Sequence, residues 1–551
     1  MLNYTTKLPL DEPYFNFNQQ FGSFSHLRTT FDATGPLDND HRWLYRMNAA
    51  YTNRGSFRDK IETERYAIAP SLTWRIGDQT DVTFDVSYTR ETVPYDSGIP
   101  LDANGDPLAS IDTFFGDPDL AGRTLEDLFA GYLFQHRFNE VFSVRNRFQY
   151  HRANPRNETI RHRGVRGLPG AETLRQRYQN EEREDVEYQL VTDLLANFST
   201  GGVDHKALVG VDLIRQDTDF ERFRQNLPNV VISSNPNVNF DPPANLQRVL
   251  DWSRSTKWLA LYAQDQISML EDGRLKLLLG GRFDWVRQSD HIGSNRVTDH
   301  EFTGRAGILY ELTDWLSPYA SVTQSFRPAG ATALDRNGNP LDPETGIQYE
   351  AGIKLNFFDE RLLATLAVYQ IQKEDVAVFD NQFFIDTGGN ASLPGVNQRS
   401  QGIELDLTGQ ITDEFSVIGN YAYTDTKVLK NETEPTTVGQ ALGNVPLHIA
   451  RLWFAYNFGP NTVLENFGVG GGLRYESQRR AQFDNAIILD DFTVFDAAAW
   501  YRYTLSGGQI VKAQLNLQNL LDKGYIVRAS DQGIAHAGTP FSAIGSIGIE
   551  F

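Results

Sequence analysis

Apolar and polar residues alternate with period two along most of the chain. Val511, Ala513, Leu515 and Leu517 fall on one face, with Lys512, Gln514, Asn516 and Gln518 on the other. Val82, Phe84, Val86 and Tyr88 alternate in the same way with Asp81, Thr83, Asp85 and Ser87. Tyr349, Ala351, Ile353 and Leu355 oppose Glu350, Gly352, Lys354 and Asn356. Period two is the repeat of an extended strand, and a strand with one apolar and one charged face belongs to a sheet that is wet on one side. Two kinds of connection alternate between these strands. Short turns fall at 76–79, 138–140, 199–203, 271–273, 313–315, 358–360, 411–413 and 506–508. Long polar stretches rich in Gly, Pro and Asn are expected as loops at 93–125, 154–183, 223–255, 328–345, 380–399 and 430–445. Short turns on one side and long loops on the other are the pattern of an outer-membrane barrel. Counting from Tyr14–Ser23 to Thr539–Phe551 gives about 22 strands under the even-number rule. The expected fold is therefore all-β, a transmembrane antiparallel β-barrel. A propeller would need a fixed 40–50-residue period, and none is found.

Composition sharpens this picture. No stretch approaches the ~20 consecutive apolar residues of a spanning helix, whereas strands that alternate can cross a membrane with soluble-looking hydropathy. Cysteine is absent from the 551 residues, which excludes disulfides, thiolate metal sites and a cysteine nucleophile. With 51 Lys and Arg against 71 Asp and Glu, the net charge of −20 argues against nucleic acid as a partner. Met1–Lys7 lacks a basic stretch followed by an apolar one, so no export signal is expected in it. Tyr421, Tyr423, Tyr501, Tyr503, Trp453, Phe454 and Phe326 fall toward strand ends, where aromatic girdles are expected.

No zinc-protease, nucleophile-elbow or phosphate-loop motif occurs, and no catalytic residue, enzyme activity, metal site or cofactor is expected. An outer-membrane hydrolase built from dispersed Ser, His and Asp residues is the remaining enzymatic alternative. Asp102–Asp106 and Asp335–Asn339 echo a calcium loop but lack its central Gly and terminal Glu, and their Asn-Gly steps read as turns. At the C-terminus Phe541, Ala543, Gly545, Ile547, Ile549 and Phe551 share one face. This ending resembles the signal read by the barrel assembly machinery, with Phe541, Ile547, Ile549 and Phe551 as its residues.

Residues 325–376, SFRPAGATALDRNGNPLDPETGIQYEAGIKLNFFDERLLATLAVYQIQKEDV, resemble the mid-barrel hallmark of TonB-dependent siderophore receptors of the ferrichrome-receptor type. QDQI and LGGRFDW (264–267, 279–285), GIELDLTGQ (402–410), GNVPLHIARLWFAY (443–456) and LNLQNLLDKGY (515–525) agree with it. LNYTTKLP (2–9) resembles the segment in which the family's plug domain runs into the first barrel strand. The resemblance implies residues 1–11 as a remnant of that junction and 12–551 as the barrel. Signal peptide, TonB box and most of the plug are not in the chain as given, and Met1–Asp11 is expected inside the barrel or at its periplasmic rim.

The resemblance further implies a receptor in the bacterial outer membrane that takes up ferric siderophores, with iron carried as the chelate. Aromatic and arginine side chains of the extracellular loops would bind it: Tyr95, Phe114, Phe115, Arg161, Arg163, Arg166, Arg327, Phe383 and Phe384. Expected partners are the TonB-ExbB-ExbD energy-coupling complex through the plug, the barrel assembly machinery, and lipid and lipopolysaccharide, around a monomer. Passive diffusion through an unplugged barrel, or another cargo such as cobalamin, are the alternatives.

Overall fold

The computed structural model describes all residues except 1–5, 103, 169, 234–235, 237, 239, 242, 291–295, 331–332, 381–382, 384–390, 433, 482–486 and 531–532. Twenty-two antiparallel strands follow one another around a closed barrel, from Tyr14–Gly22 to Ser542–Glu550. The first strand pairs with its successor His26–Pro36 and also with the last strand, Phe17 opposite Ile549 and Phe21 opposite Gly545. Phe15 and Phe551 exchange both backbone hydrogen bonds at the seam, at 2.8 and 3.1 Å. The sheet thus has no free edge, which is what a spanning sheet requires in hydrocarbon.

Outward side chains form the apolar band; Val209, Leu213, Leu259, Leu261, Trp285 and Phe302 are all exposed. Inward side chains form a polar wall. Asp193 accepts from Arg145 and Tyr262, and Asp284 accepts from Arg282 and Trp258. An aromatic girdle rings the periplasmic end, with Phe15 on Phe551, Trp43 on Trp74, Trp315 on Phe357 and Phe467 on Tyr501. Phe326 departs from the expected girdle: it packs edge-on against Trp258, whose indole points to the lumenal Asp284. Residues 6–11 lie against the lumenal wall. Lys7 Nζ is 2.8 Å from Asp32, the Leu10 amide donates to Thr34, and Asp11 accepts from Arg75. Met1–Thr5 lie outside the described residues.

One expected loop is largely strand and a second is partly so. The polar stretch at 154–183 belongs mostly to Phe142–Arg166 and Thr173–Thr200, leaving 167–172 as the connection, and 223–255 is strand through Asn226 and again from Gln247. These strands run 25, 28, 24 and 23 residues for Phe142–Arg166, Thr173–Thr200, Val203–Asn226 and Gln247–Met269, against nine or ten for several on the opposite side. Between Ile267 and Lys257 such a strand climbs roughly 33 Å along its axis, or about 25 Å along the membrane normal at a tilt of ~40°. That is one hydrocarbon thickness. Above it the apolar face is no longer needed, and charged cross-strand pairs such as Arg152–Glu184 and Arg248–Glu221 take its place. The barrel therefore has one tall polar wall outside the membrane.

Candidate functional site

Loops from around the rim meet against this wall. Ile99–Pro100, from the loop after Thr80–Pro94, pairs with Ile534–Ala537 from the loop before the last strand, and Ile526–Ala529 completes a three-stranded sheet. Two small apolar cores hold it. Ile99, Leu101, Leu489, Ala529 and Ala535 form one, and Phe115, Leu174, Val230, Val238 and Ile534 the other. Asn444 ties in a third loop by donating to the carbonyls of Ala481 and Ala529 and accepting from the Ala529 amide. Buried Arg58 grips Asp96 through two bonds and donates to the Ile111 carbonyl. The extracellular mouth is thus roofed by a cap knitted from loops far apart in sequence.

Under this cap the tall wall presents arginine. Arg161 stands directly opposite Arg177 in the ladder, Arg163 and Arg175 lie on the next positions of the same face, and Arg222 and Arg224 extend the face onto the neighbouring strand opposite Glu181 and Gln179. Glu181 accepts from Arg222 at 2.6 Å and lies 3.8 Å from Arg161; Gln179 accepts from Arg224 at 2.8 Å. Among the described residues, Arg163, Arg166, Arg175, Arg177 and Arg224 have no carboxylate within ion-pair distance. Like charges facing each other on a sheet repel. Burial, then the charges of Arg224, Arg163, Arg161 and Arg222, pull Arg177 down to about 10, and burial with Arg222 and Arg163 does the same to Arg224. Both stay charged at neutral pH. The cluster is short of anions.

A cavity of 410 Å³ opens beside these side chains, lined by Tyr95, Arg161, His162, Arg163, Arg528 and His536 among others. The Arg161 guanidinium lies 5.3 Å above the Tyr95 ring, an arrangement in which a cation and an aromatic face are offered together. His162 is 7% exposed, and among the described residues neither ring nitrogen meets a partner at full hydrogen-bond geometry. Burial pushes its pKa down to about 4, so the ring is neutral at pH 7. Among the described residues no three His, Asp or Glu side chains are disposed to hold a metal ion. The groups offered around the cavity are guanidinium, phenol and imidazole, which suit an oxygen-rich anion.

Of the residues singled out in the sequence, Tyr95, Arg161 and Arg163 line the cavity together, and Arg166 stands exposed beyond them near the hairpin tip. Phe114 and Phe115 are both buried, Phe115 wholly and within the second loop core, and as placed they offer no face to a ligand. Arg327 is 77% exposed on another strand, 3.7 Å from Glu344. The Phe383 amide donates to Asp380, and Phe384 lies outside the described residues. Phe541, Ile547 and Phe551 are exposed on the outer face of the last strand and Ile549 is half-buried between them. Asp102 and Asp335 accept amides two and four residues on, as turn residues do. Sequence reasoning missed Arg175, Arg177, Arg222, Arg224, Arg528 and His536. The signal was present: Arg161/Arg163, Arg175/Arg177 and Arg222/Arg224 are spaced by two, which puts each pair on one face once the segment is a strand.

A family model described as TonB dependent receptor-like, beta-barrel matches residues 70–520. The chain is 28% identical to the ferrichrome outer membrane transporter/phage receptor of Escherichia coli (strain K12), over 96% of this chain and 73% of that protein. It is 30% identical to the metal-pseudopaline receptor CntO of Pseudomonas aeruginosa, over 100% of this chain and 77% of that one. The ferrioxamine B receptor of Salmonella typhimurium is 28% identical, with 96% and 74% covered. The solved ferric-catecholate import receptor Fiu of Escherichia coli K12 shares the fold, with a TM-score of 0.85 at 22% identity over 99% of this chain and 83% of that one. With the closed 22-strand barrel and a family match over most of its length, the chain belongs to the TonB-dependent receptor family.

Proposed function

We propose that this outer-membrane barrel is a receptor for ferric siderophores, taken up in a step driven by the TonB energy-coupling complex, and that Tyr95, Arg161, Arg163, Arg177 and Arg224 present the extracellular binding surface. The observation that carries this reading is the arginine face under the loop cap, on which Glu181 is the one carboxylate within ion-pair distance among the described residues. Ferric chelates expose hydroxamate, catecholate or carboxylate oxygens, and guanidinium forks bind such oxygens with charge-assisted bonds. Three relatives similar over nearly the whole chain are named for ferrichrome, metal-pseudopaline and ferrioxamine B. Iron travels inside its chelate as cargo, and the protein supplies binding and passage without covalent chemistry. The knitted cap weighs against a passive pore, because a diffusion channel needs an open mouth.

The test is uptake of radiolabelled iron by iron-starved cells carrying the receptor. Accumulation from ferric hydroxamate or carboxylate siderophores that stops when the coupling protein is deleted supports the reading. Accumulation indifferent to coupling returns it to a passive channel, and uptake of cobalamin alone assigns a different cargo.

A further inference from the structure

The cavity under the cap holds two imidazoles that a plain anion site does not need. His162 comes from the strand Phe142–Arg166 and His536 from Ile534–Ala537, in the loop before the last strand, and both line the same 410 Å³ space. His162 is more than nine-tenths buried without a partner at full hydrogen-bond geometry. The ring of His536 makes no hydrogen bond among the described residues. Buried polar groups ordinarily find partners, so a nearly buried ring without one needs an explanation. The Phe115 carbonyl lies near the His162 ring. In metal-binding histidines a carbonyl beside one ring nitrogen fixes the tautomer and leaves the other nitrogen its lone pair. Both rings are kept neutral by burial first, with Arg528 and Arg58 opposing further positive charge at His536 and Arg58 doing so at His162.

The rest of the lining decides which metal species fits. Arg161, Arg163 and Arg528 stand around the cavity, and no Asp or Glu is among the described residues that line it. Asp96, which faces His162, is already held by Arg58 through two hydrogen bonds. A bare metal cation would meet guanidinium charge and too few donors. A complex whose chelator carries carboxylates reverses that balance, because its net negative charge suits the arginines and guanidinium forks bind carboxylate oxygens. A chelator that fills every position of its metal offers the imidazoles nothing. One that leaves a position to water offers them a bond.

We propose that the cavity binds an anionic metal chelate whose carboxylate chelator leaves a coordination position open, with His162 donating an imidazole nitrogen to the metal, His536 donating another where a second position is open, and Arg161, Arg163 and Arg528 holding the carboxylates. One metal-bound water leaves for each nitrogen that binds. The metal keeps its oxidation state, and a neutral ring releases no proton. The inference rests on the reading of this cavity as part of the cargo site, and it narrows the cargo from ferric siderophores at large to incompletely wrapped carboxylate complexes.

Pulsed electron paramagnetic resonance of the purified, untagged chain with Cu(II)–nitrilotriacetate tests it. That complex is anionic and leaves positions open, and the remote nitrogen of a copper-bound imidazole modulates the spin echo where the chelator's amine does not. Cu(II)–ethylenediaminetetraacetate, anionic and fully wrapped, is the comparison probe. The expected result is imidazole modulation with the first complex and none with the second, and binding of the first at least tenfold tighter. His162→Gln should weaken that binding at least tenfold, and His162→Gln/His536→Gln should abolish the modulation. His300→Gln, which removes an exposed ring opposite Trp285 on the outer face, should change neither. The wild-type spectra decide without any variant having to fold: an echo free of imidazole modulation at saturating Cu(II)–nitrilotriacetate overturns the proposal. Equal affinity for the two complexes, or modulation that survives the double variant, overturns it as well. Binding of a ferric trihydroxamate in the same preparations separates the two readings. If it persists alongside any of those results, the arginine site stands and the imidazole role falls; if the folded wild type binds no ferric chelate of either kind, both fall.

Discussion

A guanidinium without an acid beside it in a negatively charged protein needs an explanation, and the wall under the cap holds several. Arg161 is held over Tyr95 and within reach of a single carboxylate, Glu181, which it shares with Arg222. A charge-assisted bond to a bound chelate contributes about 1.5–3 kcal/mol. Arg161→Ala and Arg163→Ala should therefore each weaken ferric-siderophore binding roughly ten- to a hundredfold, read by titration against intrinsic fluorescence. Arg327→Ala, far more exposed and paired with Glu344, should change it less than threefold.

His162 is the second residue whose environment makes a prediction. Its folded pKa, about 4, lies below the ordinary 6.5 because burial disfavours the charged ring, and Asp96, Arg58 and His536 are the charged or titratable groups facing it. A histidine with a depressed folded pKa binds fewer protons folded than unfolded, so the cap gains stability as pH rises from 4 to 6.5 and loses it as pH falls through that window. Between pH 7.5 and 5.5 hydrogen-exchange protection in 95–121 and 526–537 should fall roughly tenfold, and His162→Gln should flatten that dependence. Unchanged protection in the wild type would contradict the neutral, buried assignment. In the sequence His162 looks like one of several scattered histidines, because only the loop packing decides that it is buried.

At the scale of the strand, period-two alternation carries most of the fold, and it was legible wherever one face meets lipid. It failed at 154–183 and 223–255, where the strands leave the membrane and both faces become polar. There Arg, Glu and Gln pair across the ladder as Leu and Val do below, so composition mimics a loop. The candidate site was half legible for the same reason: Tyr95, Arg161 and Arg163 stood out, and their partners on the adjoining strands did not. Strand glycines have a role that patterning hides. A Cβ on Gly210 would collide with the ring of Tyr262, whose hydroxyl donates to Asp193 at 2.6 Å. Gly210→Val should displace that ring and cost about 2–4 kcal/mol, seen as a lower urea midpoint in detergent; an unshifted midpoint would show that the ring moves freely. At the seam the Phe15–Phe551 stack, centroids 5.0 Å apart, is worth only about 0.5–1.5 kcal/mol. Phe551→Ala should therefore leave the finished barrel nearly as stable while lowering its assembled yield severalfold, measured by heat-modifiable gel mobility of membrane fractions. Wild-type yield would remove Phe551 from the assembly signal.

For the whole molecule, closure and asymmetry work together. The ladder closes between the first and last strands, so the barrel is a rigid frame. On it one tall wall rises outside the membrane and is roofed by loops drawn from several sides. The frame was legible as a strand count and a rhythm of turns. The roof was not, because Ile99, Asn444, Ala529 and Ile534 meet only through long-range packing. The account's central claim is that the unneutralised arginine wall binds an anionic ferric chelate. The most direct measurement is equilibrium binding of ferric and metal-free siderophores to the purified chain, wild type beside Arg161→Ala/Arg163→Ala/Arg177→Ala. The account predicts saturable binding of a ferric siderophore that weakens with added salt and falls at least a hundredfold in the triple variant while the barrel stays folded. Binding that the variant leaves unchanged, or no ferric-siderophore binding by the folded wild type, would contradict it.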